Sequence, residues 1–209
     1  MGQDSRKMEF NVKEVMMEGR ETSLNLGCGF QHKRGFINVD AYEVCKPDMV
    51  WNLNDQPWPW ADNSIDHILM SHVLEHTENW WGCLKECARV LKVGATVDVR
   101  VPDESSSSAG TYRDHNHVFT WYSFYGIKMT ARSVVKLRRG TNAWAESQER
   151  IPLIMTELFY VPFPQYLWMI KWCPWLLKFC SEHLRNFIHE QRFVFLKIGE
   201  ENNGSDNVL

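Results

Sequence analysis

Two groups of residues in this 209-residue chain have types and spacings that could do chemistry. The first is Leu-Asn-Leu-Gly-Cys-Gly-Phe at 24–30, followed at a short distance by Asp40. Gly27 and Gly29 take side chains out of a sharp turn, so backbone N–H groups there can approach a ligand closely. At the C-terminal end of a parallel strand, such a turn is where open α/β sheets bind cofactors. Asp40 closes the next alternating run, 35–40. If the two strands are parallel neighbours, its carboxylate stands beside the glycine turn, where it can accept both hydroxyls of a ribose. The second group is Tyr-Arg-Asp-His-Asn-His at 112–117. Asp114, His115 and His117 offer a carboxylate and two imidazoles that titrate close to neutral pH. They suit general-base catalysis or substrate orientation, structural hydrogen bonding, or metal ligation. No metal site is assigned from the spacing.

The elements that must position these groups read as alternating strands and helices. Strand-like runs stand at 24–26, 35–40, 49–54, 64–71, 95–101 and 192–198. Trp80, Leu84, Cys87, Ala88 and Leu91 have the spacing of an amphipathic helix, which Lys-Val-Gly at 92–94 should end. Only about eleven residues separate Gly29 from Asp40, too few for a full crossover helix between two parallel strands. The first crossover must be abbreviated. Residues 1–20 read as an N-terminal arm, 21–198 as one domain with a hydrophobic cap at about 150–185, and 199–209 as a flexible tail. Trp58 and Trp60, set between prolines, either cover the sheet edge or touch a cofactor.

In order, the motifs are residues 24–29, Gly-Phe-Ile-Asn-Val-Asp at 35–40, Pro-Trp-Pro-Trp-Ala-Asp-Asn-Ser-Ile-Asp at 57–66, His-Val-Leu-Glu-His at 72–76, Arg-Val-Leu-Lys-Val-Gly at 89–94 and Val-Arg-Val-Pro at 99–102. This series resembles the class I S-adenosylmethionine-dependent methyltransferases, in particular their small bacterial, archaeal and phage-type members, over about the first 125 residues. The resemblance implies an α/β, Rossmann-like, seven-stranded and mainly parallel sheet with helices on both faces and an antiparallel C-terminal strand. It implies S-adenosylmethionine as cofactor, with Asn25, Gly27, Cys28 and Gly29 around its methionine and ribose portion. Asp40 would take the ribose hydroxyls, Asn52 and Leu53 would flank the adenine, and Ser71 and His72 would lie nearest the methionine half. Members of the group often carry an Asp-x-x-His-like element where Asp114, His115 and His117 stand, which favours a catalytic role for them. The aromatic segment at 160–175 would then wall the acceptor site. Asn25 and the absence of a third glycine depart from the stricter pattern, as does Ala95, where the family has a second glycine.

Composition bounds the rest. With 44% hydrophobic residues the chain can bury one sizeable core. A net charge of -3 argues against a surface that grips nucleic acid throughout, although Lys128, Arg132, Lys136, Arg138 and Arg139 make the middle of the chain locally basic. The six cysteines read as reduced, mostly buried thiols of a cytoplasmic protein. Prolines and Lys171 interrupt the apolar stretch 158–180. It is therefore no transmembrane span, which leaves peripheral membrane contact open. The function expected is methyl transfer to a small-molecule or biopolymer acceptor. The alternative is a non-catalytic nucleotide- or partner-binding module on the same fold. A dinucleotide oxidoreductase is disfavoured, because Gln31 and His32 follow Phe30 where a third glycine would stand.

Overall fold

The computed structural model describes residues 21–124, 127–129, 151–183 and 186–199. Its centre is one sheet. Strands β1 (Ser23–Leu26), β2 (Ile37–Asp40), β3 (Met49–Val50), β4 (Ile65–Ser71), β5 (Leu91–Pro102), β6 (Lys128–Met129), β7 (Leu153–Pro162) and β8 (Ile188–Lys197) are arranged β3-β2-β1-β4-β5-β8-β7-β6. The six strand-like runs each supply a strand, the run at 49–54 only as Met49–Val50; β7, inside the segment expected to form the cap, makes the seventh, and the two-residue β6 an eighth at the edge, among the described residues. Parallel pairing joins β3, β2, β1, β4 and β5. β8 runs antiparallel between β5 and β7, so the final strand is inserted near the edge as expected. It starts at Ile188, earlier than the alternation at 192–198 suggested.

The central strands are covered on both faces, which is why they read as apolar runs. Leu24, Leu26, Ile65, Ile68, Met70, Val97, Val99, Phe193 and Phe195 are fully buried in one cluster with residues of the helix that follows β4. That helix, α1 (Trp80–Val90), begins where the Asn79 side chain accepts the Gly82 N–H, an N-cap that satisfies one orphan donor. Its Cys83 and Cys87 are wholly buried, and all six cysteines are free thiols. Burial pushes the Cys83 thiol up to about 11. These two are core contacts.

The helix does not end at Gly94 as the spacing predicted. It stops at Val90, Leu91 is already extended, and the chain enters β5 directly. Leu91 pairs with Ile65 and Thr96 with His67, so the pairing shifts register across the residues between. Gly94 lies in that irregularity with φ +85°, a conformation that suits glycine.

The crossovers β1→β2, β2→β3 and β3→β4 contain no α-helix, and a short 3-10 turn at Glu43–Cys45 serves the second. The abbreviated first crossover is thus one of three. The third, residues 51–64, is held by side chains. Trp58 and Trp60 bury their indoles edge-to-face, with centroids 6.0 Å apart. The Trp58 Nε1–H donates to the Leu53 carbonyl at 3.0 Å. The tryptophans of this loop therefore cover the core.

Among the described residues, three further α-helices follow, α2 (Ser107–Thr111), α3 (Trp168–Trp172) and α4 (Pro174–His183). The segment expected to form the cap is part strand and part helix. Met169 and Cys180 join Phe187 and Ile188 in a second small cluster, while Trp168, Trp172 and Trp175 are exposed. No helix among the described residues is long and apolar enough to cross a membrane. The arm at 1–20, the tail beyond Gly199 and the basic residues Arg132, Lys136, Arg138 and Arg139 lie outside the described residues.

Candidate functional site

The C-terminal ends of β1, β2 and β4 open onto a cleft of about 670 Å³, inside the size range of small-molecule sites. Gly27, Asp40, Ala41, Tyr42, Trp51, Asn52, Leu53 and Asn54 line it together with His72, Val73, His76, Thr77, Asp114 and Asn116. The glycine turn sits here because β1 is a central strand and its two neighbours are β2 and β4. Gly27 has φ +61°, and a Cβ added there would stand 2.4 Å from Val73 Cγ2. Both the backbone conformation and the packing against Val73 require glycine. Gly29, at φ +50°, faces open space.

Asp40 is nearly buried, and both carboxylate oxygens hold the turn. Oδ2 accepts the Gly29 N–H at 2.8 Å and Oδ1 accepts the Tyr42 N–H at 2.9 Å. Each oxygen keeps a second acceptor site, so the carboxylate that shapes the loop can also take ligand hydroxyls. Leu53 offers a buried apolar surface and Asn52 an exposed amide in the same cleft. This mix of an acid, an apolar side chain and an amide fits a nucleoside.

Of the cofactor residues read from the sequence, Gly27, Asp40, Asn52, Leu53 and His72 line this cleft, whereas Asn25, Cys28, Gly29 and Ser71 do not. Asn25 is buried, and its amide donates to the Gln31 carbonyl and to Asn38 Oδ1 at 2.9 Å, so it braces the turn from behind. Cys28 is also buried, and its thiol is pushed up to about 11 by desolvation and by the nearby Asp40 charge.

A second, smaller cleft of about 360 Å³ adjoins the first and shares His72, His76 and Asp114 with it. Glu75, Pro102, Ser108, Tyr112, His115 and His189 complete it. Among the catalytic candidates, Asp114 lines both clefts, His115 lines the second, and His117 lines neither. No residue of the aromatic segment 160–175 lines either cleft.

His72 follows β4 with φ +56°, a left-handed conformation that costs a non-glycine residue about 1–3 kcal/mol. Its Nε2 bonds Glu190 Oε2 at 2.9 Å, and its Nδ1 stands 3.4 Å from Glu75 Oε1. The hydrogen bond to Glu190, then the close Glu75 carboxylate, push the imidazole up to about 9, so at neutral pH it is a cation. The Glu190 carboxyl is held below its ordinary value by the same bond.

His76 and Glu190 were missed as site residues. The His-x-x-Glu-His spacing at 72–76 was the available signal for Glu75 and His76, since i, i+3 and i+4 share a face on a helical turn. Nothing local points to Glu190, which lies 118 residues from its partner His72.

Residues 37–97 match the family model of the methyltransferase domain. No curated protein matches the sequence significantly. Among solved structures, the fold is similar to a SAM-dependent methyltransferase from Archaeoglobus fulgidus at 13% identity and a TM-score of 0.53, covering 88% of this chain and 90% of that one. It is similar to a putative methyltransferase from Bacillus halodurans at 12% identity and a TM-score of 0.53, covering 90% and 96%. The [4+2]-cyclase SpnF shares the fold too, at 11% identity and a TM-score of 0.53, covering 88% and 78%.

Proposed function

We propose, from the methyltransferase-domain match over residues 37–97 and a fold similar to S-adenosylmethionine-dependent methyltransferases, that this chain transfers a methyl group from S-adenosylmethionine to an acceptor seated in the second cleft. The observation that carries this reading is the first cleft. It lies at the C-terminal ends of parallel strands, where Gly27, Asp40, Asn52 and Leu53 meet in one pocket. Asp40 would hold the ribose hydroxyls, Leu53 and Asn52 the adenine, and Gly27 with His72 the methionine end.

S-adenosylmethionine brings a methyl group already activated on a sulfonium. The work left to the protein is alignment, and good positioning of two reactants is worth about 7–11 kcal/mol. Asp114 belongs to both clefts and His115 to the second, so these two side chains orient the acceptor against the donor. Asp114 is largely exposed, and its Oδ2 stands 3.3 Å from His76 Nδ1. It can accept a proton from a hydroxyl or amine acceptor and release it to solvent. His117 lines neither cleft.

Titration calorimetry with S-adenosylmethionine and S-adenosylhomocysteine tests the reading. One binding event per chain for each is expected, and both should weaken together in the Asp40→Ala variant. Binding of neither would favour the alternative, a non-catalytic binding module. Fold alone does not fix a reaction, as the similar fold of a cyclase illustrates.

A further inference from the structure

We propose that Glu75, His76 and His115 form a binding site for a first-row divalent cation of the zinc type, at the junction of the two clefts. Each offers one ligand atom, and these atoms lie within 4.8 Å of one another. Ligands bound tetrahedrally at about 2.1 Å from zinc stand roughly 3.4 Å apart. Closing the set therefore needs shifts of little more than an ångström, within reach of side-chain rotation. Two imidazoles and one carboxylate leave coordination positions open, as catalytic zinc sites do.

Two independent observations point to a cation. Glu75 is 1% exposed, yet neither carboxylate oxygen accepts a hydrogen bond. A buried carboxylate without hydrogen bonds is costly unless a cation neutralises it. The single charge of the His72 imidazolium, an ion pair with Glu75 at 3.4 Å, is shared with Glu190, which holds its other nitrogen at 2.9 Å, so two carboxylates face one cation. The second observation concerns the two imidazoles. His76 Nδ1 bonds the Asp114 carbonyl at 3.1 Å, and His115 Nδ1 bonds the Ala109 carbonyl at 3.0 Å. Nδ1–H donation to a carbonyl fixes the tautomer and leaves Nε2 of each ring with a free lone pair. That is the outer-shell arrangement found behind metal-ligating histidines. The rings meet edge-on with centroids 4.8 Å apart.

The location gives the cation a task, and this part rests on the methyl-transfer reading above. An acceptor hydroxyl or thiol that enters the second cleft and binds the cation would have its pKa lowered. Its proton would pass to Asp114 or to water, and the freed electron pair would form the new bond to the methyl carbon as the sulfur–methyl bond of S-adenosylmethionine breaks, its electron pair staying on sulfur to leave neutral S-adenosylhomocysteine. His115 would then act as a ligand, and Asp114 would remain the proton acceptor.

The test uses the full-length protein freed of metal by a chelator and titrated with Zn²⁺, and separately with Co²⁺ followed by its visible absorption. One equivalent bound per chain is expected, with a tetrahedral or five-coordinate cobalt spectrum. His115→Ala should weaken Zn²⁺ binding by about 10- to 100-fold or more and leave S-adenosylhomocysteine affinity within about twofold. If that variant does not fold, His76→Ala carries the same metal readout. No stoichiometric binding by the parent, or unchanged affinity in a folded variant, overturns the proposal. Binding of S-adenosylhomocysteine without Zn²⁺ sinks this site alone, whereas binding of Zn²⁺ without S-adenosylhomocysteine sinks the methyl-transfer reading and leaves the site standing.

Discussion

Replacing Asp40 with Asn exchanges one oxygen for an NH₂ group and nothing else, which makes it the sharpest probe of the cofactor cleft. In the parent, Oδ1 and Oδ2 each accept one backbone N–H, from Tyr42 and Gly29 at 2.9 and 2.8 Å. An amide can accept from only one of them and must point its own donor at the other. One turn hydrogen bond is therefore lost, and the remaining acceptor is neutral. Contacts from a charged acceptor to ribose hydroxyls contribute about 1.5–3 kcal/mol, so S-adenosylhomocysteine should bind roughly 10- to 150-fold more weakly. The lost turn bond is read separately, as stability. At about 1 kcal/mol it should lower Tm by roughly 2–4 °C in a domain of this size. Calorimetry gives the first quantity and a thermal melt the second. A variant whose melting point falls while its affinity stays within twofold would show that Asp40 holds the loop and does not touch the ligand.

The glycines of the turn should differ in cost. Gly29→Ala meets only the left-handed backbone strain, about 1–2 kcal/mol, whereas Gly27→Ala must also displace Val73 and should lose more stability, together with ligand affinity; equal melting points for the two would contradict the packing described. Glu86→Gln should cost about 1.5–3 kcal/mol in denaturant unfolding, because this carboxylate accepts the Trp58 N–H and two Arg89 N–H groups and so holds the third crossover to α1. Hydrogen bonding to Arg89 holds the Glu86 carboxyl below its ordinary value. Its contribution is therefore present above the unfolded value, near 4.5, and is lost as pH falls through the lower folded value. Acid unfolding of the Glu86→Gln variant should show a shallower pH dependence in that range than the parent, and identical curves would remove this bond from the account.

The sheet and the first cleft were legible in the sequence because their determinants are local. Short apolar runs, with glycines at 27 and 29, set where β1 ends, and the short distance from Gly29 to Asp40 excluded a full crossover helix. Asp40 could be placed because β1 and β2 are consecutive strands that pair in parallel, so closeness in sequence became closeness in space. The glycine at 94 misled, since it serves a register shift in β5 and not a helix end. The roles of Asn25 and Cys28 also needed the folded chain, because which side of a turn a side chain takes depends on what packs against it. Tertiary structure alone brought Glu190 to His72 and set Glu75, His76 and His115 together. Those contacts cross 118 residues in the first case and about 40 in the second. Charge and hydrogen bonding across such distances are decided by strand order, and no local pattern of residues encodes them.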